Sequence, residues 1–173
     1  MIQISGFPKS GNHLLKKACE LLGVTTSEVD HIPYADGLPD GTTQHLFIRR
    51  DPRHVVISML NFQGIAVTDA SFLAMVDSFN GDTLVNGLNA YAGWLTDANT
   101  FVTSFEALQS SPAEMQRMAA YLGVFYPGNF SQLEGLTLTY TSSHADYTTI
   151  WTPDLESQWN SRGGAELLTA WGY

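Results

Sequence analysis

Residues 2 to 23 constrain this chain more than any other stretch. A short apolar run, Ile2 and Ile4, leads through Gly6-Phe7-Pro8-Lys9-Ser10-Gly11 into an amphipathic helical pattern that runs to Leu22 and ends at Gly23. A strand, a glycine-bearing turn and a helix set backbone N–H groups and the positive end of the helix around one point, which suits an anion. Lys9 adds a mobile cation inside the turn. The loop fits a phosphate-like group. It departs from the Walker A pattern, in which the lysine stands at the helix start and a hydroxyl residue follows it for magnesium. Here Gly6 and Gly11 keep that separation, but Asn12 and His13 come next, so the obvious metal ligand is missing. A tight βα turn with incidental glycines is the alternative.

A second segment points the same way. Gln44-His45-Leu46-Phe47-Ile48 reads as a strand finishing in Arg49-Arg50, and Asp51-Pro52 supplies a helix N-cap with proline at the first helical position. Ser58, two turns beyond Asp51, falls on the face of that helix that carries the cap, so Arg50 and Ser58 are expected to converge on one anion. A surface arginine and a solvated helical serine are the plainer alternative.

The remaining chain alternates strands and helices. Strands are expected near 2–6, 24–30, 44–49 and 100–104, and helices near 11–22, 52–62, 69–79, 84–97 and 112–122. That order implies an α/β, P-loop-like three-layer fold, with a mainly parallel central sheet flanked by helices and ligands at the strand C-terminal ends. Lys9, His31 and Arg50 each follow an expected strand. Residues 125–173 show little periodicity and are expected to wrap irregularly over the ligand. Tyr91, Trp94, Phe101, Tyr121, Phe125 and Tyr126 are expected in the core, with Trp151 and Trp159 as candidate ligand contacts.

At 173 residues and 44% hydrophobic content, one domain with a proper core is expected. No apolar run approaches a bilayer span, and no secretory leader pattern opens the chain. The lone Cys19 excludes an internal disulfide, fits a reducing, cytoplasmic setting and is best placed in a core; no zinc spacing is present. Charge is uneven. Residues 1–53 hold six of the eight Lys/Arg and six acids, a net of zero, which leaves two cations against eleven acids and −9 for the rest. Cations therefore gather at the proposed anion loops, and nucleic acid and anionic membranes are poor partners.

Phe7-Pro8-Lys9-Ser10-Gly11-Asn12-His13-Leu14 resembles the 5′-phosphosulfate loop of the sulfotransferases, Y/F-P-K-S-G-T/N-T-W. Arg50 to Ser58 is similar to that family's 3′-phosphate segment, R-N-P-x-D-x-x-x-S, and His31-Ile32-Pro33 to its K-T-H-L-P. Phe105-Glu106-Ala107-Leu108 resembles Y-E-D-L. Thr141-Ser142 and Asp146-Tyr147-Thr148-Thr149 are similar to its T-S and N-Y-T-T elements, and Arg162-Gly163-Gly164 to its R-K-G clamp. Three positions depart from the pattern: Val29 stands at a usual lysine, Leu14 at a tryptophan beside adenine, and Gly163 at the clamp lysine.

The resemblance implies sulfuryl transfer from 3′-phosphoadenosine 5′-phosphosulfate (PAPS) to a hydroxyl or amine of a small acceptor, leaving 3′-phosphoadenosine 5′-phosphate (PAP). His31 is the implied base and Lys9 the stabiliser of the leaving group. The N–H groups of Ser10, Gly11, Asn12, His13 and Leu14 are expected at the 5′-phosphosulfate, Arg50 and Ser58 at the 3′-phosphate, and Thr141, Arg162, Gly163 and Gly164 at the remainder of the donor. No metal is required. A P-loop-type kinase and a catalytically decayed adenine-nucleotide-binding module stay open as alternatives.

Overall fold

A computed structural model describes residues 1–134, 136 and 146–173. Its central element is a four-stranded sheet in the order β2-β1-β3-β4, built from β1 (Ile2–Gly6), β2 (Thr26–Asp30), β3 (Gln44–Arg49) and β4 (Thr100–Ser104). Every pairing is parallel. The helices are α1 (Asn12–Leu21), α2 (Pro52–Phe62), α3 (Asp69–Asp77), α4 (Leu84–Asn89), α5 (Phe105–Ser110), α6 (Pro112–Leu122), α7 (Pro153–Asn160) and α8 (Gly164–Trp171). The α/β class with a parallel central sheet and flanking helices, expected from the sequence, is the one observed.

The chain divides into two compact units, Met1–Arg50 with Gly93–Thr139, and Asp51–Ala92 with Tyr140–Tyr173. The first holds the sheet, with α1 against β1 and β2, and α5 and α6 against β4. Alternation along the strands separates two faces. Ile4, Leu46, Ile48 and Phe101 share one face, and they join Leu14, Leu15, Ala18, Cys19, Leu108, Met115 and Met118 in a continuous core. Cys19 is fully buried there, and burial pushes its thiol up to about 12, so it is an inert packing residue.

The opposite face of β1 and β3 carries buried polar groups. His45, 1% exposed, has its Nε2 2.7 Å from Ser5 Oγ and its Nδ1 2.9 Å from Thr100 Oγ1. The Thr100 hydroxyl donates to Asp97 Oδ2 at 2.6 Å, which makes its oxygen the acceptor for His45 Nδ1–H and leaves Nε2 to accept from Ser5. The Trp94 ring stands edge-on to this imidazole at 4.5 Å.

Along β2 the register slips. Ile2 pairs with Thr26 but Ile4 with Val29, and the Ile4 N–H reaches Ser27 Oγ at 3.3 Å within the irregularity. This bulge advances β2 by one residue, so Ser5 pairs with Asp30 and His31 comes level with Gly6.

The second unit is helical. Asp51 caps α2 by accepting the Arg53 N–H at 2.9 Å, with Pro52 at the first position, as its sequence requires. Val55, Val56, Met59 and Leu60 are buried along α2. Phe72 of α3 meets Trp151 and Trp159 edge-on at 5.7 and 5.8 Å. Between α7 and α8, Gly163 adopts φ 83 as the N-cap of α8, and a Cβ at Gly164 would run into the Trp159 indole.

Several expectations need correction. The single helix expected over 84–97 stops at Asn89 and gives way to a 3-10 turn over Ala92–Leu95. Residues 125–173 are not uniformly irregular. Thr152 caps α7 through the Leu155 N–H, and Pro153 and Gly163 start two helices too short to display a period. Trp159 is fully buried, which removes it as a ligand contact. Phe125 is 85% exposed, because Val124 and Tyr126 turn to the core and an extended chain then points the residue between them outward.

Candidate active site

The loop after β1 is held from within. The Ser10 N–H donates to the Phe7 carbonyl at 3.1 Å and closes a turn, which puts Lys9 at φ 68 in the left-handed region. That conformation is rare for a residue with a Cβ, and a strained backbone of this kind marks functional loops. Gly11 follows at φ 105 as the N-cap of α1, and a Cβ there would stand 2.6 Å from the Phe105 ring. At Gly6 a Cβ would stand 2.5 Å from Asn12 Oδ1 and 2.7 Å from the Ile48 carbonyl. The two glycines thus answer two separate close approaches.

The first intrahelical bond of α1 runs from the Leu15 N–H to the Gly11 carbonyl. The N–H groups of Gly11, Asn12, His13 and Leu14 precede it and lie at the positive end of the helix. The Ser10 N–H, by contrast, closes the turn onto the Phe7 carbonyl. The Leu14 side chain is 2% exposed within the core, so that residue can offer a ligand only its N–H. Ser10 contributes differently: its Oγ is fully buried with no hydrogen-bond partner among the described residues. A buried hydroxyl and a row of helix-end N–H groups suit tetrahedral anion oxygens. The residues present therefore fit a phosphate or phosphosulfate.

Three side chains bond to the carbonyls of this loop. His31 Nδ1 lies 2.7 Å from the Gly6 carbonyl, where the advanced β2 register delivers it. A carbonyl can only accept, so Nδ1 carries the proton and Nε2 is the basic nitrogen of the neutral ring. Asn12 Nδ2 donates to the Gly6 and Phe7 carbonyls at 3.3 and 3.2 Å. Arg50 Nη1 donates to the Lys9 carbonyl at 3.3 Å, and its guanidinium lies over the Phe105 ring at 4.2 Å. Burial holds the Lys9 ammonium below the usual lysine range, so part of the desolvation cost of pairing it with an anion is already met in the fold.

The structure therefore brings Lys9, Ser10, Gly11, Asn12, His31 and Arg50 to one loop. Phe105, singled out in the sequence only as the first residue of the segment resembling Y-E-D-L, had been given no place in the site, and it proves to be the shared floor under Gly11 and Arg50. Ser58 belongs to the second unit, half-buried on α2. There too, Arg162 is engaged by Asp77, with Nε and Nη2 at 2.6 and 3.0 Å from the carboxylate. Thr141 and Ser142 lie outside the described residues.

Two solved structures share this arrangement of elements across 96% of the chain. Mouse sulfotransferase SULT7A1 complexed with PAP superposes with a TM-score of 0.72 at 15% identity, over 83% of its own length. This is the sulfotransferase fold. A retinol dehydratase in complex with androsterone and inactive cofactor PAP gives a TM-score of 0.69 at 12% identity, over 80% of its length. No family model and no curated protein matches the sequence. At such identities the likeness establishes the fold, and the chemistry has to be argued from the residues themselves. Among the described residues no cluster of His, Cys, Asp and Glu could hold a metal ion, and no helix is long and apolar enough to cross a membrane.

Proposed function

We propose that this chain is a sulfotransferase that moves the sulfuryl group of PAPS to a hydroxyl or amine of a small acceptor. The observation that carries this reading is the attachment of His31 and Arg50 to the loop carbonyls of Gly6 and Lys9. A base and a second cation thereby stand at a loop already shaped for an anion. Both structural relatives named above were solved with PAP.

The donor supplies an activated sulfuryl group, and the protein's contribution is positioning and charge stabilisation. The N–H groups of Gly11 to Leu14 and the Ser10 hydroxyl hold the 5′-phosphosulfate. Lys9 neutralises charge developing on the leaving oxygen. His31 takes the acceptor proton at Nε2 while its Nδ1–H stays on the Gly6 carbonyl, so the imidazolium that forms is already hydrogen-bonded. Arg50 is the first unit's candidate for the 3′-phosphate. Ser58, Thr141, Arg162, Gly163 and Gly164 stand as further donor-binding candidates on their sequence pattern, each testable by PAP titration of an alanine variant.

Nucleotide choice tests the reading. A charged phosphate with several hydrogen bonds is worth a few kcal/mol, so calorimetry is expected to show PAP binding at least ~10-fold more tightly than ADP, without magnesium. Equal affinities for PAP and ADP, or dependence on magnesium, would overturn it in favour of a kinase-type P-loop. Binding of PAP with no transfer from PAPS to any of a panel of hydroxyl and amine compounds would assign a binding module instead.

A further inference from the structure

We propose that Asn12 is a positioning residue for His31, acting through the Gly6 carbonyl that both side chains share. The inference deepens the sulfotransferase reading, because it concerns how the proposed base is held.

The Gly6 carbonyl receives His31 Nδ1 at 2.7 Å and Asn12 Nδ2 at 3.3 Å. A carbonyl oxygen has two lone pairs, so it can accept from both side chains at once. Asn12 Nδ2 also lies 3.2 Å from the Phe7 carbonyl. Both neighbours can only accept, so the amide must face them with its NH2 group, and the orientation of the side chain is fixed by chemistry. Asn12 is 5% exposed and opens α1. Its amide therefore clips two successive carbonyls at the strand end to the first turn of the helix. A Cβ at Gly6 would stand 2.5 Å from Asn12 Oδ1, so the glycine is what lets strand end and helix start approach this closely.

The consequence falls on the imidazole. An exposed histidine exchanges between two neutral tautomers, and only the one protonated at Nδ1 offers Nε2 as a base. The Gly6 carbonyl selects that tautomer as long as its lone pair stays aimed at the ring. Asn12 holds the aim. Phosphate loop and base are in this way built as one piece: the residue that starts the anion-binding helix also sets the protonation geometry at His31.

The test reads the ring directly and needs neither donor nor acceptor. Two-bond nitrogen–proton correlation spectra of uniformly labelled protein, recorded above the range where histidine titrates, report the tautomer of each ring. In the wild type, His31 is expected in the Nδ1–H form. In Asn12→Ala and Asn12→Asp, neither of which can donate to the two carbonyls, the tautomer ratio should shift about fivefold to tenfold toward Nε2–H, the worth of one positioned hydrogen bond. Asn12→Thr keeps one hydroxyl donor and should restore most of the Nδ1–H form. The buried His45 ring, held at both nitrogens, serves as the folding control in each spectrum. Should Asn12→Ala fail to fold, the isosteric Asn12→Asp, which suits a helix N-terminus, carries the test alone. A His31 ring that stays locked as Nδ1–H in both donor-less variants, with the His45 signals intact, would overturn the proposal. Failure of the wild type to bind PAP would overturn the sulfotransferase reading and leave the tautomer result standing.

Discussion

The buried imidazole of His45 makes the stability of this protein depend on pH in a calculable way. Burial pulls its pKa from 6.5 down to about 4, and the nearby Asp97 carboxylate offsets only part of that effect. Both ring nitrogens are committed in the neutral form, since Nε2 accepts from Ser5 and Nδ1 donates to Thr100. The unfolded chain therefore takes up the proton first as pH falls. Stability is unaffected above the unfolded pKa, declines between 6.5 and 4, and reaches a constant loss below both values. A shift of that size is worth about 3 kcal/mol in full, and about 2 kcal/mol of it falls between pH 7 and pH 5. In melting temperature the latter is a drop of roughly 4–8 °C. Asp77, Asp82, Glu114 and Asp146, held below the ordinary carboxylate range by their hydrogen bonds and ion pairs, lose their contributions at lower pH, so the upper window isolates the histidine. The assay is urea unfolding at closely spaced pH values for the wild type and for His45→Gln, which cannot titrate. The difference between the two curves should lose about 2 kcal/mol from pH 7 to pH 5, whatever the offset at pH 7. Curves that run parallel through that window would refute the reasoning. They would mean that the ring takes its proton inside the fold, with Ser5 turning to accept from it.

Other perturbations separate backbone from side chain. Lys9→Ala and Lys9→Gly should both lower turnover by roughly two to three orders of magnitude, the scale of losing one transition-state charge stabiliser. Because Lys9 sits at φ 68, Lys9→Gly should be the more stable of the pair by about 1 kcal/mol in urea titration, and equal stability would show that the loop carries no strain. His31→Ala is expected to lower turnover by about two to four orders of magnitude with PAP affinity nearly intact. Retained turnover would point to a different base. Gly164→Ala would gain up to about 1 kcal/mol in helix propensity but must displace the fully buried Trp159, at a cost of about 1–3 kcal/mol. Denaturant midpoints should record a net loss, and a stabilised variant would show that the indole has room to shift.

Much of this molecule is decided locally and was therefore legible in the residues. The strands β1, β3 and β4 fall over Ile2–Gly6, Gln44–Arg49 and Thr100–Ser104, where short stretches with apolar residues such as Ile2 and Ile4, Leu46 to Ile48, and Phe101 and Val102 place them. Asp51-Pro52 starts α2 because cap and ring constraints act over two residues. The glycine pair around Lys9 marked the tight turn between β1 and α1 for the same reason. The structure decided whatever joins residues distant in sequence. Helices α7 and α8 are two turns each, too short for a period to emerge, and they stand by packing rather than propensity. Phe105 became the floor of the site only once β4 was laid beside β3. His31 reaches the Gly6 carbonyl because a one-residue bulge in β2 shifts its register on β1, and a shift of one moves every following side chain to a new neighbour. Motif spacing named the residues of the site. Strand register, set by long-range pairing and by Ser27 filling a bulge, decided that they meet.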